Sequence, residues 1–479
     1  MIERKLTFDE NNIVLTVAAL SDVHCSGKER GKKMAAIMRK AREMYPSLDA
    51  YLFAGDMGEA LPRTEDKPWL YAELSCFAEY AAMGNETRLP VVWCLGNHDG
   101  PAYALQAEKV DYRSAGKEMS YTVTRGMTGL DAVEAVMRDN APETFFSSDS
   151  YPVPTLAAPR GFRYNLIGGY HFFAVDYSYI DEKTVAWLSA QLAAVTRREP
   201  EKTVFVVSHM PKEDWECPSA LKECIENFPQ VLYVTGHTHI HITHHNFVSS
   251  QGCAQLVLGT CNHASRGLGI PHPKYYHYQM KQGAVIEVDG EGSVRVTGID
   301  YSFEEREDGT LSNTLSECGV VADTPYRMRT AVFGTPGRNA SAPILFDTGI
   351  HSETDERYFK PYFAEDATIT FGEETEEGLP ITFSTAHAAN FIKRYHIVVT
   401  DLTTGVAKTL HDPMAEKDLE VLPIGSDYIL YGTYAHIPAT QTVMLVFPAA
   451  RSKKYPAQVS IVGFDDFYNM TQPLYARLP

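Results

Sequence analysis

Five short apolar runs of this chain are each followed by polar residues that can bind metal ions. Runs rich in valine, isoleucine, leucine and phenylalanine are typical of buried strands. A polar segment behind such a strand lies at the edge of the sheet, where side chains from distant parts of the sequence can meet. The feature therefore predicts a rigid α/β scaffold with a metal site at one edge. The five segments are Asp22-Val23-His24, Gly55-Asp56, Gly96-Asn97-His98-Asp99, Ser208-His209 and Gly236-His237-Thr238-His239.

Strand and helix signals alternate through residues 1–305, which we interpret as one α/β domain with helices covering its sheets. Asp181 stands where an N-cap would begin one of the helices. Two alternating runs, Ala284–Val288 and Ser293–Tyr301, predict a closing hairpin. The other predicted strands are Ile13–Ser21, Ala50–Ala54, Val91–Leu95, His171–Val175, Val204–Val207, Val231–Thr235 and Leu256–Gly259, and the predicted helices are Lys28–Met44, Trp69–Met83, Glu182–Arg198 and Pro218–Asn227.

The alternation is interrupted by an insertion at about residues 101–160. It contains one predicted helix, Leu130–Arg138, and a stretch rich in proline, serine and aromatic residues, Phe145–Pro159. Long insertions next to a site are more often functional than idle. We expect a cap beside the metal site, and an excursion without function is the alternative.

The remainder of the chain has a different character. Residues 306–325 are polar and acidic and predict a linker. Residues 326–479 carry strand signals separated by turns, which is typical of an all-β sandwich, with a fibronectin type III arrangement as one form that fits. The predicted strands are Ala367–Phe371, Pro380–Ser384, Arg394–Thr400, Tyr428–Ala435, Thr442–Phe447 and Gln458–Phe464.

Charge and composition restrict the partners. The 479 residues carry a formal net charge of −18 at pH 7, and such an acidic surface disfavours nucleic acid. No stretch reaches the roughly 18 apolar residues of a membrane span. The eight cysteines are scattered, so we expect mostly reduced thiols and a cytoplasmic protein. The oligomeric state is left open.

The residue types of the five segments indicate the chemistry. A carboxylate can bridge two cations, while imidazoles and an amide oxygen fill the remaining positions. Such mixed nitrogen and oxygen ligands suit Mn, Fe, Zn or Co rather than Ca. Two cations about 4 Å apart can polarise a phosphoryl group and lower the pKa of a water to give hydroxide at neutral pH.

In this order, the five segments resemble the signature blocks of the calcineurin-like metallophosphoesterases. Any one block alone is a weak signal, because turns and buried polar pairs produce it often, whereas five in order are specific. The resemblance covers residues 13–302 and implies a four-layer α/β/β/α sandwich. It also implies hydrolysis of a phosphate mono- or diester of small size by a hydroxide that two divalent or trivalent transition-metal ions, Mn, Fe or Zn, activate.

The resemblance also implies individual roles. Asp56 would bridge the two metals, and His98 would assist the leaving group without binding metal. Asp99 would orient His98 by accepting a hydrogen bond from its ring. Asp22, His24 and His239 would hold the first metal, and Asn97, His209 and His237 the second.

A second hypothesis belongs to another class. The metal domain would then be a scaffold or binding protein, and the β-sandwich would recognise a partner. Several further residues have open roles near the site: Cys25 as a packed thiol, His241, Asn262 and His263 as pocket or loop residues, Asp176 and Tyr177 as lining residues, and Arg160 and Arg163 as a phosphate clamp or salt-bridge partners.

Overall fold

The computed structural model divides the chain into two compact units. The first contains residues 1–264 and 278–350, and the second contains residues 265–277 and 351–479. The structure describes residues 8–24, 28–58, 88–99, 108–114, 117–140, 142–146, 149–214, 216–240, 242, 248–249, 253–261, 281–305, 311–313, 321–333, 362–375, 378–386, 392–402, 407–409, 440–445, 456–465 and 471–479.

The first unit contains two mixed sheets in its described part. One sheet has the order β14-β13-β12-β1-β2-β3, with β15 also paired to β13, and its β1, β2 and β3 run parallel. Its strands are β1 Ile13–Leu20, β2 Ala50–Ala54, β3 Val91–Cys94, β12 Gln282–Asp289, β13 Val294–Glu305, β14 Leu311–Asn313 and β15 Pro325–Phe333.

The other sheet of this unit has the order β10-β11-β9-β8-β7-β6. Its four central strands are parallel, and both edges are antiparallel. A parallel bridge between Ser21 and Thr260 joins it to the first sheet. Its strands are β6 Phe162–Ile167, β7 Tyr170–Val175, β8 Val204–Val207, β9 Val231–Thr235, β10 Val248–Ser249 and β11 Ala254–Val257.

Each sheet is covered by helices through a separate apolar core. In the first core, Ile37 and Val136 of two helices pack with Phe53. In the second, Leu192 and Ile225 pack with Val206. The helices are α1 Lys28–Met44, α2 Gly129–Asn140, α3 Pro142–Phe145, α4 Glu182–Arg198 and α5 Ser219–Glu226, with a 3-10 turn at Tyr177–Tyr179. These mixed α/β layers agree with the predicted class, and the four-layer stacking stays a prediction.

The helix α4 begins where the sequence predicts. The side chain of Asp181 accepts a hydrogen bond from the amide of Thr184, and Thr184 in turn accepts one from the amide of Asp181. This capping box satisfies two amides that the first turn leaves without helical partners.

Part of the insertion covers the first sheet, and the expected cap beside the metal site stays a prediction. A hairpin of β4 Glu108–Ser114 and β5 Lys117–Val123 opens the insertion. Its helix α2 and Phe145 are then buried in the core of the first sheet. The indole of Trp93 on β3 donates a hydrogen bond to the carbonyl of Phe145 at 2.9 Å. This part of the insertion is therefore a structural layer, because its apolar face is used to cover the sheet.

The predicted boundary between the domains is corrected. Residues 311–313 of the predicted linker form β14, and β15 pairs with β13 although it was assigned to the C-terminal domain. The guanidinium of Arg327 on β15 also lies 5.2 Å from the ring centre of Tyr45. The polar segment before β15 resembles a linker in the sequence, and nothing in the sequence shows that β15 pairs with a strand of the first domain.

The second unit is built from strands in its described part. Two antiparallel sheets, β16-β17-β20 and β19-β18-β21-β22, share one apolar core, in which the rings of Phe383 and Tyr395 are 4.9 Å apart. This arrangement agrees with an all-β sandwich. The strands are β16 Ile369–Phe371, β17 Leu379–Ser384, β18 Ile392–Asp401, β19 Ala407–Thr409, β20 Thr440–Leu445, β21 Ala457–Asp465 and β22 Leu474–Arg477.

Two predicted elements, helix Trp69–Met83 and strand Tyr428–Ala435, lie outside the described residues. Among the helices that the structure describes, none is long and apolar enough to cross a membrane.

Leu192→Ala tests the core beneath α4. Leu192 is 1% exposed, so its truncation should lower the free energy of unfolding by about 2–5 kcal/mol. The matched control is Leu166→Ala, since Leu166 is 46% exposed and should change it by only about 0.5 kcal/mol or less. Urea unfolding followed by circular dichroism measures both, and equal effects would contradict this view of the core.

Candidate metal centre

The predicted ligands lie on loops at the carboxyl ends of β1, β2, β3, β8 and β9. Within each sheet these strands are parallel neighbours, so their ends meet at one edge. Six non-glycine residues in the described chain have positive φ, and five of them are predicted ligands. A left-handed backbone costs energy for such residues, and this cost is commonly found at functional sites. The five are Asp22, His24, Asp56, His237 and His239.

Asp22, His24, Asp56 and His239 form the first group. Their potential ligand atoms all lie within 4.8 Å of one another. The Nε2 atoms of His24 and His239 are 2.8 Å apart, and Nε2 of His239 is 3.1 Å from Oδ1 of Asp22. Nitrogen and oxygen donors that converge at this spacing fit the coordination sphere of one transition-metal ion.

Asp56 also belongs to the second group, with His209 and His237. Its Oδ2 lies 3.0 Å from Nε2 of His209 and 3.5 Å from Nε2 of His24. One buried carboxylate therefore faces both groups. The structure brings together six of the seven predicted ligands, and the remaining one is Asn97.

The orientation of His209 fits a metal ligand. Its Nδ1 lies 2.7 Å from the carbonyl oxygen of Ala54, to which it can donate a proton. Nε2 is buried and lacks a hydrogen bond of proper geometry, although Asp56 is close. Nε2 of His237 is likewise buried without a hydrogen-bond partner among the described residues. In His209, the hydrogen bond from Nδ1 to Ala54 fixes the orientation of the ring and directs Nε2 toward the position of a metal.

Electrostatics in the site couple the ligands. Burial favours the neutral form of Asp22, but His239 and His209 together lower the pKa of Asp22 to about 2. Burial likewise opposes charge on His209, but Asp56, together with Asp22 and the carbonyl of Ala54, raises the pKa of His209 to about 10, so a metal ion that binds Nε2 would displace a proton from it. Burial and the charge of His209 lower the pKa of His237 to about 4, which keeps this imidazole neutral at pH 7 and able to bind metal.

The motif glycines allow the loops to approach closely. A Cβ at Gly55 would lie 2.6 Å from Nδ1 of His209, and Gly55 itself has a φ of +86°. A Cβ at Gly96 would overlap the carboxylate of Asp56, and one at Gly236 would overlap Ser21 and Asp22. The three glycines are therefore required by space around the ligands.

His98 and Asn97 follow β3 on the loop beside Asp56. The amide of His98 donates to Oδ1 of Asp56 at 2.8 Å, and the ring centre of His98 lies 4.8 Å from that of His24. Nδ1 of His98 is buried without a hydrogen-bond partner among the described residues. Asn97 is exposed, and its role as a ligand stays a prediction.

The prediction for Asp99 is corrected. Its carboxylate accepts hydrogen bonds from the amides of Gly58 at 2.6 Å and Gly96 at 2.7 Å, rather than from the ring of His98. Burial and the charge of Asp56 raise the pKa of Asp99 to about 7. Asp99 therefore connects the loops after β2 and β3, because two buried amides need an acceptor there.

Asp214 was not identified from the sequence. Its Oδ2 lies 3.6 Å from Nε2 of His237, and the charged residues around it in the sequence gave no motif. Arg160 pairs with Asp131, and Arg163 with Asp176, so both arginines form salt bridges. Cys25, His241, Asn262 and His263 lie outside the described residues.

Residues 15–241 match the family model of the calcineurin-like phosphoesterases. This part of the chain therefore belongs to that family, as its five signature blocks and their geometry indicate. No curated protein matches the chain.

Two solved structures are similar to the chain at low identity. One is GAP50, described as the anchor in the inner membrane complex of Plasmodium, with 13% identity, 66% of this chain and 88% of that chain covered, and a TM-score of 0.32. The other is the purple acid phosphatase PPD1 from yellow lupin seeds, with 12% identity, 62% and 52% covered, and a TM-score of 0.37. The chain thus spans about half of the lupin enzyme, and the family assignment rests on the sequence match.

Gly96→Ala should weaken cation binding, because the new methyl group would displace Asp56 from both ligand groups. We expect affinity for Mn²⁺ to fall on the order of tenfold or more, as outer contacts to ligands have effects of this size. Gly126→Ala is the control, since a Cβ there has nothing within 4 Å and its φ of +91° would strain only the backbone of a turn that carries no ligand. Calorimetric titration measures the Mn²⁺ affinity of both variants. Unchanged affinity in Gly96→Ala would show that a side chain at position 96 does not displace Asp56 from the ligand groups.

Proposed function

We propose that this protein hydrolyses a phosphate ester with the help of two metal ions. The observation that supports this most strongly is the shared position of Asp56 between two groups of ligands. The family match over residues 15–241 supports the same reaction class. Two bound cations would polarise the phosphoryl group and lower the pKa of a nearby water.

The protein's own residues would position these ions and the substrate. Asp22, His24 and His239 would hold one ion, His209 and His237 the other, and Asp56 both. Asn97 would complete the second set from its exposed loop. The backbone of this loop is held by Asp56 and Asp99, so its side chains would stay in place during the reaction.

His98 would transfer a proton to the leaving oxygen. Its ring lies beside His24 but does not belong to either ligand group. Its side chain is only partly buried, so it can face both the site and a substrate. A protonated imidazole in that position neutralises the developing alkoxide, which otherwise is a poor leaving group.

The finer features of the function remain proposals. We propose a small phosphorylated substrate, mono- or diester, because the formal charge of −18 disfavours a polyanion. We propose Mn, Fe or Zn as the metals, since the ligands are imidazoles and carboxylates. A four-layer stacking of the first unit and a cytoplasmic location are proposed on the family resemblance and on the scattered cysteines.

Asp56→Ala and His98→Ala should separate metal binding from proton transfer. Asp56→Ala should abolish both Mn²⁺ binding and hydrolysis of p-nitrophenyl phosphate and bis-p-nitrophenyl phosphate. His98→Ala should keep the metal content, measured by mass spectrometry, but lower kcat by about 10²–10⁴-fold. His171→Gln is the control, because His171 is buried but contacts Tyr164 and Glu199 instead of the ligands.

Undiminished hydrolysis in both alanine variants would refute the proposal. Cation binding in the unaltered protein without turnover of any ester would instead support the scaffold hypothesis.

Cations should also stabilise the fold, because they bind buried carboxylates that the unfolded chain does not hold together. At a cation concentration of 100 times Kd, the gain is about 2.7 kcal/mol for one site. Thermal unfolding with Mn²⁺ and with a chelator measures the shift in Tm. The shift should disappear in Asp56→Ala, and its persistence there would place the cations elsewhere.

A further inference from the structure

The loop that carries Asn97 and His98 is held by three carboxylates. The amide of Leu95 donates to Oδ1 of Asp176 at 2.8 Å. The amides of Gly96 and His98 donate to Asp99 and Asp56. Hydrogen bonds of amides to carboxylates are short and directional, so the path of the loop is fixed by where these acids lie.

Asp176 is supplied by the other sheet. It follows β7, whereas Leu95 follows β3 of the first sheet. The amide of Tyr177 also donates to the carbonyl oxygen of Leu95 at 3.0 Å. Both backbone polar groups of Leu95 are thus bound by the segment after β7, and the two sheets are connected directly before the site loop.

Arg163 fixes the carboxylate of Asp176. Its two terminal nitrogens lie 2.5 Å and 3.0 Å from the two oxygens of Asp176, in a bidentate pair. The guanidinium also lies 3.4 Å from the ring centre of Trp93 on β3. A planar guanidinium that pairs with Asp176 at its edge and lies over the ring of Trp93 has little freedom to rotate. Asp176 is therefore held in one orientation toward Leu95.

Stability alone does not explain this pair. Asp176 is 1% exposed, and burial raises the pKa of its carboxyl even though Arg163 opposes this. Buried ion pairs of this kind are often no more stabilising than apolar residues of similar size. What apolar residues would not provide is an acceptor for the amide of Leu95.

We propose that Asp176, oriented by Arg163, is a positioning residue that sets the distance of Asn97 and His98 from the metal ligands. This inference rests on the proposed function. Asp176 would position the loop through the hydrogen bond that it accepts from the amide of Leu95, which lies two residues before Asn97. A displacement of reacting groups by about 1 Å can cost on the order of 10²-fold in rate.

The test compares Asp176→Leu and Asp176→Asn with Glu287→Leu in the full chain. Glu287 is a buried partner of Arg295 at 2.8 Å and lies opposite Thr16, remote from the end of β1. Asp176→Leu should lower kcat for p-nitrophenyl phosphate by about tenfold or more with KM nearly unchanged. Asp176→Asn should recover part of kcat, since its amide oxygen can still accept from Leu95. Glu287→Leu should lower Tm without changing kcat.

A second readout does not depend on turnover. Because Asn97 is on this loop, Asp176→Leu should weaken the binding of one of the two Mn²⁺ ions in calorimetric titration and leave the other unchanged. Equal effects of Asp176→Leu and Glu287→Leu on kcat and on Mn²⁺ affinity would overturn the inference. If the unaltered protein turns over no ester, the proposed function fails, and the Mn²⁺ titration still decides the positioning role. Should Asp176→Leu not fold, Asp176→Asn and Arg163→Lys give the same comparison.

Discussion

Burial of Asp56 is the constraint on which the site depends. Asp56 is 1% exposed, and its carboxylate faces ring nitrogens of His24 and His209. The same carboxylate accepts a hydrogen bond from the amide of His98. A buried charge requires partners of opposite charge or strong donors. Burial opposes ionisation, but His209, with His24 and His98, holds the pKa of Asp56 well below its usual range. The loops after β2, β3 and β8 must therefore converge on one residue.

This convergence explains where the backbone is left-handed. Asp22 and Asp56 both turn sharply at the end of a strand so that their side chains point into one volume. Each such position costs of order 1–3 kcal/mol, and backbone hydrogen bonds offset part of it. The amide of His24 donates to the carbonyl of Asp56 at 3.0 Å, and that of His237 donates to both oxygens of Asp22. Hydrogen bonds between the loops stabilise the left-handed conformations, so each loop keeps its conformation only when the neighbouring ligand blocks are in place.

The sequence predicted the elements whose signals are local. Strand Ala50–Ala54 and helices Lys28–Met44 and Glu182–Arg198 have the predicted bounds, because apolar periodicity and caps act within one segment. The ligand blocks were also readable, since all five place a metal-binding side chain directly behind an apolar run and three of them begin with a glycine. Strand β15 and the role of Asp99 were not predicted, because β15 depends on its pairing with β13 and Asp99 on its contact with Gly58 of another loop. Asp176 was noted only as a lining residue, and its pair with Arg163 is set by the register of β6 and β7.

Several acidic residues lie close together at the site. Asp22, Asp56 and Asp99 are buried there, and Asp214 lies beside His237. Burial is the main cause that raises the pKa of Asp99 to about 7, and repulsion by the charge of Asp56 adds to it. Cations relieve this repulsion more effectively than protons can, because each brings two or more charges to a point between several oxygens. The carboxylates of the site therefore favour metal binding, and bound cations would reverse the local field toward an anionic ligand.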